Sequence, residues 1–359
     1  MSISYIVPLN INIFWNFGVL AFFFLVSQII TGIFLAMHYV PNLEMAFKSV
    51  EHIMRDVNMG WFIRYLHSNG ASMFFLVVYI HVFRGLFYNS YIYPRGAVWI
   101  IGIIILLLMI LTAFLGYVLP WGQMSFWAAT VITNLASAIP VIGNSIVIWL
   151  WGGFSVGNPT LNRFFSLHYI LPIVILLLVV LHIIFLHFTL SSNPLGIQSD
   201  IDDTKFGTYF IIKDLYGIYL ILFICSFFLF FYPNLLSHSD NYIPANPLVT
   251  PNHIVPEWYF LPFYAILRSV PNKLLGVILL LASIVLLILL PFIISYEIRN
   301  TNLKPILRFI FYFFFFNCII LGWIGSKDII NPFYEVGQIS TIFYFSYFLI
   351  LLPLIHRKI

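Results

Sequence analysis

The sequence is poor in charge. Only 8% of its 359 residues are Asp, Glu, Lys or Arg, against about 25% in soluble domains. That excludes an ordinary water-exposed surface, and a dispersed net charge of +4 gives no sign of a nucleic-acid partner. Cysteine is nearly absent: Cys225 and Cys318 both fall inside apolar runs, which argues against a structural disulfide. Also missing are any repeat of 20–50 residues, any low-complexity tract and any positive n-region in the first sixteen residues. The chain is therefore expected to insert into a membrane by its own spans.

What is present is apolar. Hydrophobic residues make up 62% of the chain, and the mean hydropathy is +1.02. They come in runs of about 20 residues, which at a rise of about 1.5 Å match the roughly 30 Å hydrocarbon core of a bilayer. Eight such runs lie near 17–40, 61–88, 97–119, 160–189, 211–232, 274–294, 305–325 and 338–355. Pro41-Asn42, Asn89, Pro120-Trp121-Gly122, Asn193-Pro194, Pro233-Asn234 and Pro332 break them. The expected fold class is an all-α membrane protein of eight transmembrane helices. Residues 1–195 are expected to form a four-helix bundle and 196–359 a second four-helix domain. The long connection 120–159 should lie along the surface as short helices, and the proline-rich one, 233–273, as a loop.

Ten histidines are present. His38, His52, His238, His253 and His356 sit at span ends or in loops and suggest nothing special. Four others lie at membrane depth, where polar groups are costly and usually functional. His67 and His81 share the second span, His168 and His182 the fourth, and both pairs are 14 residues apart. Fourteen residues are nearly four turns, so each pair occupies one helix face, separated by about 21 Å along the axis. The second and fourth spans run the same way, so His67 and His168 share one depth and His81 and His182 another. Two imidazoles facing at one depth suit the axial ligation of a haem iron. Zinc would need four ligands at each level, and no Cys or carboxylate is placed to complete them.

Glycines repeat the spacing: Gly18 and Gly32 in the first span, Gly102 and Gly116 in the third. A glycine lets a flat macrocycle approach the backbone, so two haems among the first four spans are expected. Arg64 and Arg84, each one turn from a histidine, are placed to meet haem propionates.

With these residues in view, the chain resembles the cytochrome b family. The resemblance runs from about residue 8 to the C-terminus. It rests on Trp15-Asn16-Phe17-Gly18, the run from Gly116 to Trp127 (GYVLPWGQMSFW), Thr130 to Asn134 (TVITN) and Pro256-Glu257-Trp258-Tyr259. The photosynthetic relatives divide the helices between two chains and space one histidine pair differently. This undivided chain therefore resembles the respiratory form, the core of the cytochrome bc complex.

That resemblance implies much that spacing does not. The two haems would be b-type and non-covalently bound, with His67 and His168 holding the low-potential haem iron near the positive face and His81 and His182 the high-potential one near the negative face. Quinol oxidation near the positive face would use Glu257, with Tyr117, Phe126, Ala128, Phe260 and Tyr264 around the ring. Quinone reduction near the negative face would use His187, Ser191, Lys213 and Asp214, with Trp15 and Asn16. Ubiquinone and ubiquinol would be the substrates. The implied partners are a Rieske iron–sulfur protein, cytochrome c1 and the other subunits of complex III in a homodimer, with membrane lipid around it and no nucleic acid. A hydrophobic chain without a transit peptide fits synthesis inside the mitochondrion and residence in the inner membrane. With the N-terminus on the negative side, nine Lys/Arg fall on that side and seven on the other, a weak positive-inside bias.

The chain also departs from the family pattern. Ala128 stands where the family has Gly, and its methyl is expected to weaken positive-face inhibitors of the methoxyacrylate type. Pro262 follows the PEWY loop and would stiffen it. Phe188 and Ser192 replace residues that are often polar in relatives. Two other classes fit the sequence less well. A dihaem anchor of another dehydrogenase would lack the PEWY segment, and a non-redox transporter would explain neither histidine pair.

Overall fold

The computed structural model describes residues 4–197, 202–294 and 304–356. Arg299, Arg357 and Lys358, counted in the charge bias, lie outside them. Twelve helices are labelled here: α1 Phe17–Ala36, α2 Ala46–Arg55, α3 Gly60–Phe87, α4 Gly96–Val118, α5 Gln123–Asn134, α6 Gly143–Trp151, α7 Asn158–Thr189, α8 Gly207–Phe231, α9 Leu261–Arg268, α10 Lys273–Ile293, α11 Pro305–Gly325 and α12 Phe333–Ser346. A π turn at Tyr347–Leu351 and a last turn at Leu352–His356 continue α12. Among the described residues, eight helices are long and apolar enough to cross a bilayer, as the apolar runs predict.

Their ends follow local chemistry. The first span stops at Ala36 rather than near residue 40, because Pro41 has no N–H to give Met37 O and its ring would crowd that carbonyl. The last begins at Phe333, five residues before the expected 338, because Pro332 caps a helix start. In α7, Gly157 N donates to Thr160 Oγ1 at 3.1 Å, and Pro159 occupies the first turn, where no donor is needed. The connection 120–159 does form short helices, α5 and α6. Three features were not expected: the amphipathic α2, the short α9, and a two-stranded antiparallel pairing of β1 (Ile6–Pro8) with β2 (Asp203–Lys205).

Helices α1 and α3 pack side by side along their lengths, as do α4 and α7. In each pair consecutive crossings run in opposite directions. Polar groups at membrane depth find partners within the protein, because lipid offers none. Trp99 Nε1 donates to Leu287 O at 2.6 Å, tying α4 to α10. Tyr344 Oη donates to Ser283 O at 2.7 Å, and Asn317 Nδ2 to Ser340 O at 3.0 Å. The C-terminal helices close around Phe314, which stacks on Tyr347 with centroids 4.1 Å apart. Outward faces are apolar: Phe223, Phe227 and Phe231 of α8 are all exposed, as a lipid-facing surface requires.

Candidate functional site

The parallel helices α3 and α7 bring their histidines face to face at two levels. The rings of His67 and His168 have centroids 6.2 Å apart, and those of His81 and His182 are 6.4 Å apart. One metal ion ligated by both imidazoles, with bonds of about 2 Å to each nitrogen, separates ring centres by roughly 6.3 Å. Both levels meet that spacing. Among the described residues no group of three His, Cys, Asp or Glu side chains could hold a metal. A site with two facing protein ligands therefore suits an ion whose other positions are filled by a macrocycle.

The glycines explain why all four spacings are equal. A Cβ on Gly18 would stand 3.4 Å from His81 Cε1, and one on Gly32 3.2 Å from His67 Cε1. On the other pair, a Cβ on Gly102 would stand 3.2 Å from His182 Cε1, and one on Gly116 would run into the His168 ring, 2.9 Å from Nδ1. As α1 climbs from 18 to 32, its antiparallel partner α3 descends from 81 to 67; α4 and α7 repeat this with 102 to 116 and 182 to 168. Antiparallel packing thus carries one helix's period onto its neighbour. The clearance expected for a macrocycle is, in this structure, first of all clearance for the imidazoles.

The histidines are oriented from behind at one level. His168 Nδ1 lies 2.8 Å from Thr112 O, an acceptor only, so Nδ1 carries the proton and Nε2 keeps its lone pair. His67 Nδ1 lies 2.9 Å from Thr31 Oγ1, which itself donates to Ser27 O at 2.7 Å. A hydroxyl that gives its proton to a carbonyl receives one from the imidazole, which fixes the same tautomer. At the other level, Arg84 Nη2 lies 3.3 Å from His81 Nδ1, and His182 Nδ1 faces Val98 O without reaching the geometry of a full hydrogen bond, while Arg84 Nε is buried with no hydrogen-bond partner among the described residues. Neither Arg64 nor Arg84 has a carboxylate within 4 Å among the described residues. Two unneutralised guanidinium groups, each a turn from a histidine, fit anionic propionates.

A cavity of about 590 Å³ opens at the His67–His168 level. Both histidines, Gly32, Gly116, Arg64, Tyr117 and Glu257 line it. Glu257 precedes a short turn, Trp258–Phe260. Trp258 Nε1 donates to Ser72 Oγ at 3.1 Å and Tyr79 Oη to Tyr259 O at 2.5 Å, while Tyr259 stacks on Phe75 with centroids 4.1 Å apart. The two aromatic residues after Glu257 are clips onto α3 that present the carboxyl to the cavity. Burial pushes that carboxyl up to about 7. The Tyr117 hydroxyl beside it pulls the other way, without reaching the geometry of a full hydrogen bond. A carboxyl poised near neutrality is a fitting proton acceptor.

At the opposite end, α7 finishes with His187, whose ring lies 4.4 Å from that of Tyr5, and whose Nε2 is buried with no hydrogen-bond partner among the described residues. Asn16 Nδ2 donates to Lys213 O at 2.7 Å. Lys213 Nζ in turn donates to Ile11 O at 2.6 Å. Trp15 stacks obliquely on Tyr88 at 4.9 Å and lies under the Arg84 guanidinium at 5.2 Å.

Comparisons with known proteins agree with this geometry. The family described as "Cytochrome b/b6/petB" matches residues 2–190, and "Cytochrome b(C-terminal)/b6/petD" matches residues 244–345. Cytochrome b of Chondrus crispus is 60% identical over 355 residues, covering 99% of this chain and 93% of that one. Cytochrome b of Rickettsia prowazekii is 57% identical over 357 residues, covering 98% and 89%. The chain belongs to the cytochrome b family. A solved structure titled "Hyperthermophilic respiratory Complex III" has the same fold, with a TM-score of 0.94 at 35% identity over 99% of this chain and 94% of that one.

Within this cytochrome b fold, the structure brings together the four histidines and four glycines, and it seats Arg64, Tyr117 and Glu257 on one cavity. It does not gather every expected residue there. Phe126 and Ala128 are buried in α5, with Phe126 packed edge-on against Trp121, and neither lines the cavity. Phe260 packs against Phe75, and Tyr264 carries the Arg268 guanidinium over its ring at 4.6 Å; both lie off the cavity wall. At the other end His187 and Ser191 meet at Tyr5, while Asn16 and Lys213 meet each other and half-buried Asp214 follows Lys213 on α8. Sequence reasoning missed Thr31, Thr112, Tyr79 and Tyr5. Thr31 could have been found, since it precedes Gly32 and so shares its level.

Proposed function

We propose that this chain is the dihaem membrane subunit of a respiratory ubiquinol–cytochrome c reductase. The observation that carries the reading is the pair of histidine couples, 6.2 Å and 6.4 Å across, repeated on the same two helices. His67 and His168 would hold the low-potential haem iron, and His81 and His182 the high-potential one. Arg64 and Arg84 would meet the propionates. When bound, the two haems supply one-electron carriers at two depths, about 21 Å apart along the helices.

The chain's own residues do the rest. At the positive face, the Glu257 carboxylate accepts a proton from a quinol hydroxyl, and its anchoring on α3 through Trp258 and Tyr259 keeps it at the cavity. Tyr117 shares that wall, and Phe126, Ala128, Phe260 and Tyr264 shape the pocket from behind. At the negative face, His187 and Asp214 bind and protonate the quinone, with Lys213, Ser191, Trp15 and Asn16 setting the walls. Proton release on one side and uptake on the other would contribute to the proton gradient, each electron crossing being worth about 2.3 kcal/mol per 100 mV. The chain would be active only beside a Rieske iron–sulfur protein and cytochrome c1, in a homodimeric complex in the mitochondrial inner membrane. Residues 1–195 and 196–359 would be its two domains. Similarity to cytochrome b of Chondrus crispus and to a complex III structure supports this reading.

Face-specific variants in the assembled complex test it. Glu257→Gln should abolish quinol oxidation while leaving quinol-driven haem reduction from the negative face. His187→Leu should do the reverse. Variants that damage both reactions alike, or neither, contradict the assignment of two separate sites.

A further inference from the structure

The segment ahead of the first membrane helix is tied down along its length. β1 pairs with β2, Ile6 opposite Lys205, Val7 opposite Thr204 and Pro8 opposite Asp203. Backbone bonds extend this pairing at both ends, from Phe206 N to Tyr5 O at 2.6 Å and from Leu9 N to Asp202 O at 3.0 Å. Farther along, Lys213 Nζ grips Ile11 O at 2.6 Å. The result is a strap laid across the start of α8, and Tyr5 stands at its first tie.

From there the Tyr5 ring lies against the His187 ring, centroids 4.4 Å apart and planes 34° apart. Its hydroxyl sits beside Ser191. His187 is in the last turn of α7, and its Nε2 is buried with no hydrogen-bond partner among the described residues. A side chain that must be ordered when a ligand arrives weakens binding. A ring held against one face of the imidazole orders it beforehand and leaves Nε2 to receive a donor or a carbonyl partner.

We propose that Tyr5 is a positioning residue for the negative-face quinone site, its ring fixing the plane of the His187 imidazole. The inference rests on the reading of His187 as a quinone-binding residue. It also gives Lys213 a second task, since its ammonium group anchors the strap that carries Tyr5. The ring does this work, not the hydroxyl.

The test uses the assembled complex carrying Glu257→Gln, so that only the negative-face reaction runs, with a short-chain ubiquinol as probe and reduction of the high-potential haem as readout. Tyr5→Ala should raise KM about fivefold and leave kcat within about twofold. Tyr5→Phe, which keeps the ring, should restore KM. Tyr5→Leu serves where the alanine variant fails to assemble and should raise KM likewise. An unchanged KM in Tyr5→Ala or Tyr5→Leu, or a Tyr5→Phe variant as impaired as they are, overturns the proposal. His187→Leu separates the two readings. If it leaves the negative-face reaction intact, the assignment of His187 fails; if it abolishes that reaction while Tyr5→Ala leaves KM unchanged, only the role of Tyr5 fails.

Discussion

The two ends of the four-helix bundle share a histidine–glycine frame and complete it differently. At the His67–His168 end, threonine partners fix both Nδ1 atoms and a cavity of about 590 Å³ joins the histidines to Glu257. At the His81–His182 end, a guanidinium contacts one Nδ1, the other faces Val98 O short of a full hydrogen bond, and a strap of the N-terminal segment folds across the helix ends. Helix packing alone dictates the frame, whereas loops and side chains such as those of Thr31 and Arg84 dictate what each end can do. A repeated scaffold with unlike finishing fits the proposed pair of quinone reactions, which would run in opposite directions.

The largest expected effect comes from removing one ligand. His168→Leu should delete one of two b-type optical transitions in a redox titration of the purified complex, and His182→Leu the other. If either variant lost both transitions, or neither, the two levels would not be independent.

Next is the proton acceptor. The buried Glu257 carboxyl is raised from 4.5 to about 7, so it is protonated, and unable to accept a proton, at pH below that value. The kcat/KM of quinol oxidation should climb with pH and level off above about 7. Glu257→Gln should lower it by about 10²-fold or more and erase that limb. A flat wild-type profile between pH 5.5 and 8 would remove Glu257 from the proton path.

The glycines allow a graded comparison. Gly116→Ala presses a methyl into the His168 ring and should cost the most, toward the upper end of the about 1–3 kcal/mol typical of overpacking. Gly32→Ala and Gly102→Ala, with contacts of 3.2 Å, should be intermediate, and Gly18→Ala, at 3.4 Å, nearly silent. Thermal unfolding of the complex and haem content would show the order; a Gly18 variant as damaged as the Gly116 variant would break the account of their spacing. Smallest is Ala128→Gly, which should increase sensitivity to methoxyacrylate inhibitors without changing turnover. Nanomolar inhibition of the unaltered complex by such inhibitors would contradict the effect assigned to that methyl.

The long apolar runs and the histidine and glycine spacing were legible because bilayer thickness and helical period leave direct marks in sequence. The spacing named the levels but not the contacts, since which face of α1 meets which residue of α3 depends on helix crossing. Thus Gly116 was read as room for a macrocycle, and the structure places it first against His168. The β1–β2 strap could not be read: three-residue strands carry too little periodicity, and 195 residues separate Pro8 from Asp203. The buried setting of Glu257 was equally hidden, for Trp258 and Tyr259 announce a motif but not that their rings clip it onto α3. Phe126, Phe260 and Tyr264 are implied by resemblance alone, and none of them lines the cavity.

The central claim is two metal-binding levels on one pair of helices. Optical spectra of the purified complex recorded through a redox titration test it most directly. The account predicts two b-type haem transitions of different potential, in equal amount. A single transition, or no haem, would contradict it.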